Sequence, residues 1–178
     1  FSDSDLKVLF NNANGYTDWW TFLLETGIRA CDAKSFTQSN FIVQDRMYVQ
    51  FKQHKHGKKA KSIKLPVTKK VVKIVENAGD ALFPECHKWL NRKGYSGHYN
   101  GFLVQSQKLM RELLGGNNNP DKMRIEHHTF RHTFAINHLN AGMPKEVLQT
   151  LLGHSSLMTT EAHYANWMSN DSLSEWVK

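Results

Sequence analysis

Two adjoining runs decide the fold: His128-Thr129-Phe130-Arg131-His132-Thr133-Phe134-Ala135-Ile136-Asn137-His138-Leu139-Asn140, and Pro144-Lys145-Glu146-Val147-Leu148-Gln149-Thr150-Leu151-Leu152-Gly153-His154. They read as helices over 129–140 and 144–152. Pro144 suits the first helical position, where its fixed φ is preset and its missing N–H has no partner to lose. Gly153 suits the C-terminal cap. Working outward, helices are expected over 68–77 and 100–114, with a short one near 158–165. Gly115-Gly116-Asn117-Asn118-Asn119-Pro120 is a loop by composition. At the other end, Ser2 to Asp5 has the form of a capping box opening a helix that carries Leu6, Leu9 and Phe10. A second helix, 17–25, carries Trp20, Phe22, Leu23 and Leu24 and stops at Gly27, and a short one follows over 30–36. Between these helical parts the pattern changes. Phe41-Ile42-Val43, Met47-Tyr48-Val49-Gln50-Phe51 and Ser62-Ile63-Lys64-Leu65-Pro66 are strand-like, with a turn signal at His56-Gly57-Lys58. The expected class is mainly α with a small three-stranded antiparallel β-sheet (α+β).

The 178 residues suit one domain spanning 1–178, closed by a tail over 167–178. Hydrophobic residues make up 40% of the chain, enough for a globular core, and no apolar run is long enough to span a membrane. The opening Phe1-Ser2-Asp3-Ser4-Asp5 is neither a signal peptide nor an initiator Met, so the chain is expected to be part of a longer protein. Cys31 and Cys86 have no framework or metal spacing, which points to a reducing, cytoplasmic setting. The net charge is +7, and its placement matters more than its size. Nine lysines (52, 55, 58, 59, 61, 64, 69, 70 and 73) and no acid lie between Lys52 and Lys73. The rest of the chain carries 14 basic and 16 acidic residues. Such a block fits a polyanion partner, since bound phosphates release counterions. It also fits a solvated hairpin.

The C-terminal third carries His128-Thr129-Phe130-Arg131, Leu152-Gly153-His154, Thr159-Thr160 and Tyr164, and far upstream stands Glu25-Thr26-Gly27-Ile28-Arg29-Ala30-Cys31-Asp32. This set resembles the tyrosine recombinase (phage integrase) family, whose pattern is an early Arg in a T-G-x-R turn, a hairpin Lys, H-x-x-R, L-G-H and a late Tyr. The resemblance covers residues 2–166. H-x-x-R alone is a weak signal; five parts in order at family-like separations are a specific one. One departure is visible. Family members commonly have nine residues from the L-G-H histidine to the tyrosine, whereas Tyr164 is ten after His154; it is the only tyrosine after Tyr99. The resemblance also implies an N-terminal DNA-binding domain, the other half of a clamp around DNA, that this chain does not include.

The resemblance implies that Tyr164 attacks a scissile phosphate, and elementary chemistry agrees with the parts. Phosphoryl transfer is mainly positioning plus charge stabilisation. Arg29 and Arg131 suit the non-bridging oxygens, because a guanidinium fork matches two oxygens at once. His128 lies three residues before Arg131, so both are expected on one side of a helix or its first turn. His128 can take the proton from Tyr164, whose ordinary pKa is about 10. His154 can donate to the phosphate, Lys55 can protonate the leaving 5′-oxygen, and Asp32 can orient its neighbours. Lys58 and Lys59 are close alternatives to Lys55. Lys52, Lys58, Lys59 and Lys61 are the expected DNA contacts. Structural alternatives stand beside each role. Arg29 can cap a helix end, Tyr164 can be a core aromatic, and His132 reads as a core histidine. His128 and His132, four apart, can hold a metal, but no H-E-x-x-H or carboxylate set completes a site, so no metal and no other cofactor is expected.

The resemblance therefore implies double-stranded DNA as substrate, a 3′-phosphotyrosyl intermediate, and a homo-tetramer on paired sites. It implies no small-molecule substrate and no membrane. Two other readings remain at this point: a type IB topoisomerase, which uses a similar set, and a DNA-binding module without catalysis. In the tail, Leu173, Trp176 and Val177 follow helical spacing, which fits packing on a neighbouring subunit or on its own domain.

Overall fold

The structure, a computed structural model, describes residues 1–53, 62–86, 101–116, 124–154 and residue 158. Helix α1, Asp3–Asn11, opens on the expected capping box: Ser2 Oγ accepts from the Asp5 amide at 3.2 Å, and the Asp5 carboxylate accepts from the Ser2 amide at 3.0 Å. Helix α2, Thr17–Thr26, ends at Gly27, whose φ of 62° is left-handed. A Cβ there would lie 2.6 Å from the Phe134 ring, so glycine is required by conformation and by space. A short α3, Ala30–Ala33, and a 3₁₀ turn at Gln38–Asn40 lead into the sheet.

Strands β1 (Phe41–Val43), β2 (Met47–Lys52) and β3 (Ser62–Pro66) pair antiparallel in the order β1-β2-β3, with Val49 opposite both Phe41 and Leu65. Alternation sets the faces: Val49, Phe51 and Leu65 are buried, while Gln50, Lys52 and Lys64 are exposed. The buried face continues the aromatic core, with the Phe36 and Phe51 rings 5.2 Å apart.

Helix α4 (Lys69–Asn77) is capped by Thr68, whose Oγ1 accepts from the Val71 amide; α5 (Gly101–Leu113), α6 (His128–Asn140) and α7 (Lys145–Leu152) complete the described elements. Helix α2 is the hub, packing on α4 and α6. It buries Trp19, Trp20, Phe22 and Leu23, each burial worth roughly 1.5–3 kcal/mol of removed apolar surface or more for the aromatics. Glu25 of α2 holds Lys70 of α4 at 2.7 Å. A smaller apolar cluster of Phe134, Ala135, Leu148 and Leu152 joins α6 to α7. Among the described residues no helix is long and apolar enough to cross a membrane.

The class and element order match expectation, with local corrections. Helix α3 stops at Ala33, because Phe36 turns inward to the core instead of continuing the helix. Pro144 is the N-cap rather than the first helical residue: its ψ of 139° is extended, and its carbonyl accepts from Val147 and Leu148. Lys64 and Lys70 of the basic block have local partners: Lys64 lies over the Tyr48 ring, 4.4 Å from its centre, and Lys70 pairs with Glu25. The hairpin tip, the expected helix near 158–165 and the tail lie outside the described residues, apart from residue 158.

Candidate active site

Helix ends supply the site. The last carbonyls of a helix have no intrahelical donor and carry the negative end of its dipole. Arg131, on the first turns of α6, is only 3% exposed, and it meets two such ends. Its Nη1 donates to the Gly27 carbonyl at the end of α2 (2.8 Å), and its Nη2 donates to the Leu152 carbonyl at the end of α7 (2.6 Å). Burying a cation is costly unless it is hydrogen-bonded; here charge-assisted bonds to carbonyls offset that cost. The same Nη2 lies 3.0 Å from His154 Nε2. A guanidinium can only donate, so Nε2 is the acceptor and the neutral imidazole carries its proton on Nδ1. The L-G-H turn is built for this. Gly153 is left-handed with φ 61°, the His154 amide donates to the Gln149 carbonyl at 3.0 Å, and Gln149 Nε2 donates to the His154 carbonyl at 3.1 Å.

Arg29 occupies the N-cap position of α3, yet its side chain caps nothing. Its Nη1 instead reaches Gln53, just after β2. The Gln53 amide is satisfied when Oε1 accepts from Arg29 Nη1 at 3.0 Å and Nε2 donates to the Gly153 carbonyl at 3.3 Å. The opposite orientation sets the amide nitrogen against the guanidinium and leaves it a long 3.4 Å contact with the Leu152 carbonyl. The first orientation is the chemically consistent one.

His128 begins α6 and is exposed, its ring 4.8 Å from that of His132. It shares an open cleft of about 280 Å³ with Arg29, lined also by Cys31, Lys34, Gln107 and Glu126. The spacing argument that put His128 and Arg131 on one side needs correction: Arg131 turns inward to the helix ends, while His128 stays at the rim of the cleft. His132 is half-buried and packs on His128, so it is not a core histidine. Asp32 is buried one turn after Arg29; its amide donates to the Arg29 carbonyl at 2.9 Å, and it borders a smaller pocket with Lys52, which is exposed.

The structure thus brings Arg29, Arg131 and His154 together through Gln53 and the Gly27 and Leu152 carbonyls, with His128 beside Arg29. Lys55, Lys58, Lys59, Lys61 and Tyr164 lie outside the described residues. Among the described residues no group of three or more His, Cys, Asp or Glu is placed to hold a metal. Sequence reasoning missed Gln53 in the site and the buried His127 beside it. Gln53 was legible from parity: Val49 and Phe51 face inward, and two residues on the alternation points inward again. His127 was masked by its neighbour. It is buried, its Nε2 3.0 Å from Ser106 Oγ, which also accepts from Trp20 Nε1 at 2.8 Å. Burial pushes His127 down to about 4.

A helical domain with a small edge sheet thus gathers two arginines and an Nδ1–H imidazole at helix ends, a set of donors whose chemistry suits an oxyanion. The chain belongs to the phage integrase family, whose model matches residues 12–170. It is 34% identical over 91 residues to the transposase from transposon Tn916 of Enterococcus faecalis, covering 49% of this chain and 21% of that protein. It is 27% identical over 149 residues to tyrosine recombinase XerD of Chlorobaculum tepidum, covering 80% of this chain and 45% of that one. The catalytic domain of bacteriophage HP1 integrase has the same fold, with a TM-score of 0.63, 19% identity, and 94% of this chain matched to 86% of that domain. The chain thus spans from about a fifth to under half of these two curated relatives.

Proposed function

We propose that this chain is the catalytic domain of a site-specific recombinase that cuts and rejoins DNA through Tyr164. The observation that carries this reading is the Arg131 cluster: a buried guanidinium, held by carbonyls, beside a neutral imidazole and a second arginine. Arg29 and Arg131 bind the non-bridging oxygens of the scissile phosphate, and His154 Nδ1–H donates to one of them. Tyr164 Oη attacks phosphorus and its proton passes to His128. The phosphorus–O5′ bond breaks, and Lys55 protonates the departing 5′-oxygen. Asp32 steadies the turn that carries Arg29. A 5′-hydroxyl from a second DNA then reverses the step. Because the phosphotyrosyl link conserves the bond energy, no ATP or other cofactor is needed. Double-stranded DNA is the partner, held in part by Lys52, Lys58, Lys59 and Lys61, and a homo-tetramer on paired sites performs the exchange. The tail over 167–178 packs on a neighbouring subunit in that assembly. The cytoplasm is where such a protein meets its DNA.

The test is a DNA duplex nicked near the cleavage site, so that the short leaving fragment diffuses away and covalent product accumulates. Wild type should give a shifted band on a denaturing gel and Tyr164→Phe none, with DNA binding retained. A persistent band in the variant would move the nucleophile elsewhere, His163 first. DNA affinity should fall with salt at a log–log slope of about −0.9 per phosphate contacted; a flat response would remove the lysine block from the interface.

A further inference from the structure

We infer that Gln53 is a positioning residue for Arg29, its amide tying that guanidinium to the Gly153–His154 turn. The inference rests on the cleavage chemistry proposed above and assigns a role to a residue that the five-part pattern does not contain. Three observations meet here. Gln53 is only 6% exposed, although an amide side chain at the end of an edge hairpin has every opportunity to stay in water. Its oxygen and nitrogen are both used, one by Arg29 Nη1 at 3.0 Å and the other by the Gly153 carbonyl at 3.3 Å. The space it occupies exists because residue 153 has no side chain: a Cβ there would stand 2.5 Å from the end of the Gln53 carboxamide and equally close to Ile63 Cδ1. Gly153 therefore serves two ends, the left-handed cap of α7 and the slot for this amide.

The chemistry of an amide suits the task. An arginine that must meet a phosphate needs an acceptor to orient its fork, but a carboxylate acceptor would bring a countercharge that competes with the phosphate. A carboxamide orients without neutralising. Gln53 also precedes Lys55 by two residues, so the same contact fixes the root of the hairpin that carries the proposed acid. One side chain thus joins the Arg29 turn, the hairpin root and the L-G-H turn, whose mutual placement sets the reaction geometry.

The test is single-turnover cleavage of the nicked duplex in a double-mutant cycle. Gln53→Met keeps the length and removes both hydrogen bonds. It should slow covalent-product formation by about ten- to a hundredfold, the usual range for losing a group that orients a site residue, with DNA affinity little changed. Added to Arg29→Ala, the same change should cost less than about twofold, because its target is already gone. An equal factor in both backgrounds would mean a merely structural role and would overturn the inference. If Gln53→Met no longer melts cooperatively, the cycle is run with Gln53→Glu, which keeps the acceptor but adds the countercharge and should also be slow only when Arg29 is present. A wild-type protein that forms no covalent product would sink the recombinase reading instead. The inference would then be decided by the Arg29 Nη protons in ¹⁵N-edited spectra: slowed exchange with water in wild type, lost in Gln53→Met, is expected, and unprotected protons in wild type would overturn it.

Discussion

Two buried polar clusters stand one helical turn apart at the start of α6, and they have opposite characters. The first runs from Trp20 Nε1 to Ser106 Oγ to His127 Nε2; it is neutral, linear and set between aromatic rings, with Trp19 edge-on to His127 at 5.8 Å. The second centres on Arg131 and keeps a formal charge, met by the Gly27 and Leu152 carbonyls and by a neutral His154. Burial and satisfied hydrogen bonds are common to both, so neither property marks function. The difference is that carbonyl dipoles hold a cation in place without cancelling it, and that the charged cluster continues through Gln53 and Arg29 to an open cleft.

The sharpest way to break this contrast is to remove the centre of each cluster. Arg131→Ala should lower single-turnover cleavage by at least about a thousandfold, equivalent to about 4 kcal/mol in the barrier. It should also cost about 2–4 kcal/mol of stability, because two helix-end carbonyls lose their donors. Ser106→Ala should cost about 1–3 kcal/mol by stranding Trp20 Nε1 and His127 Nε2, yet leave cleavage per folded molecule within about threefold. Denaturant melts beside cleavage rates check both. If Ser106→Ala matched Arg131→Ala in rate at equal folded fraction, the two clusters would be one functional unit.

A smaller effect separates conformation from position. Gly27→Ala meets a left-handed φ and a Cβ 2.6 Å from the Phe134 ring, and it moves the carbonyl that holds Arg131. It should cost about 2–4 kcal/mol, more than the 1–2 kcal/mol for a left-handed L-residue alone, and slow cleavage as well. Gly142 has φ +81° and nothing within 4 Å of a Cβ, so Gly142→Ala should show the backbone cost alone and normal cleavage. Equal losses for the two would show that the Phe134 contact relaxes freely.

What was legible in the sequence follows the same division. The elements were readable because local chemistry sets them: Ser2 and Asp5 close a capping box, Gly27 and Gly153 end helices, and the strands alternate. Arg29, Arg131 and His154 were readable because the motif spacing carries them. The partners that hold them were not, since Arg131 bonds backbone carbonyls at residues 27 and 152, and any residue type presents a carbonyl. The direction of His127 against His128 was equally hidden, because two adjacent histidines look alike until one finds Ser106. Boundaries at Ala33 and Pro144 moved for tertiary or capping reasons that local propensity does not encode.

The smallest expected effect tests whether the neutral cluster is purely structural. His127 is buried against Ser106 and Trp19, and desolvation lowers its pKa from 6.5 to about 4. Between these values the unfolded chain binds a proton on this residue that the folded chain refuses, so stability rises with pH across the window. It is fully present above about pH 6.5 and is lost as pH falls toward 4. From this group alone, the loss between pH 8 and pH 5 should be about 2 kcal/mol. The chain has ten histidines, so the measurement is a difference: unfolding free energy against pH for wild type and for His127→Asn. The variant should be less stable at pH 8, where the native histidine is satisfied, and its curve should be flatter by about that amount down to pH 5. Parallel curves would mean that His127 accepts its proton inside the fold. The neutral cluster would then tolerate charge as the Arg131 cluster does, and the contrast between the two would fail at its structural end.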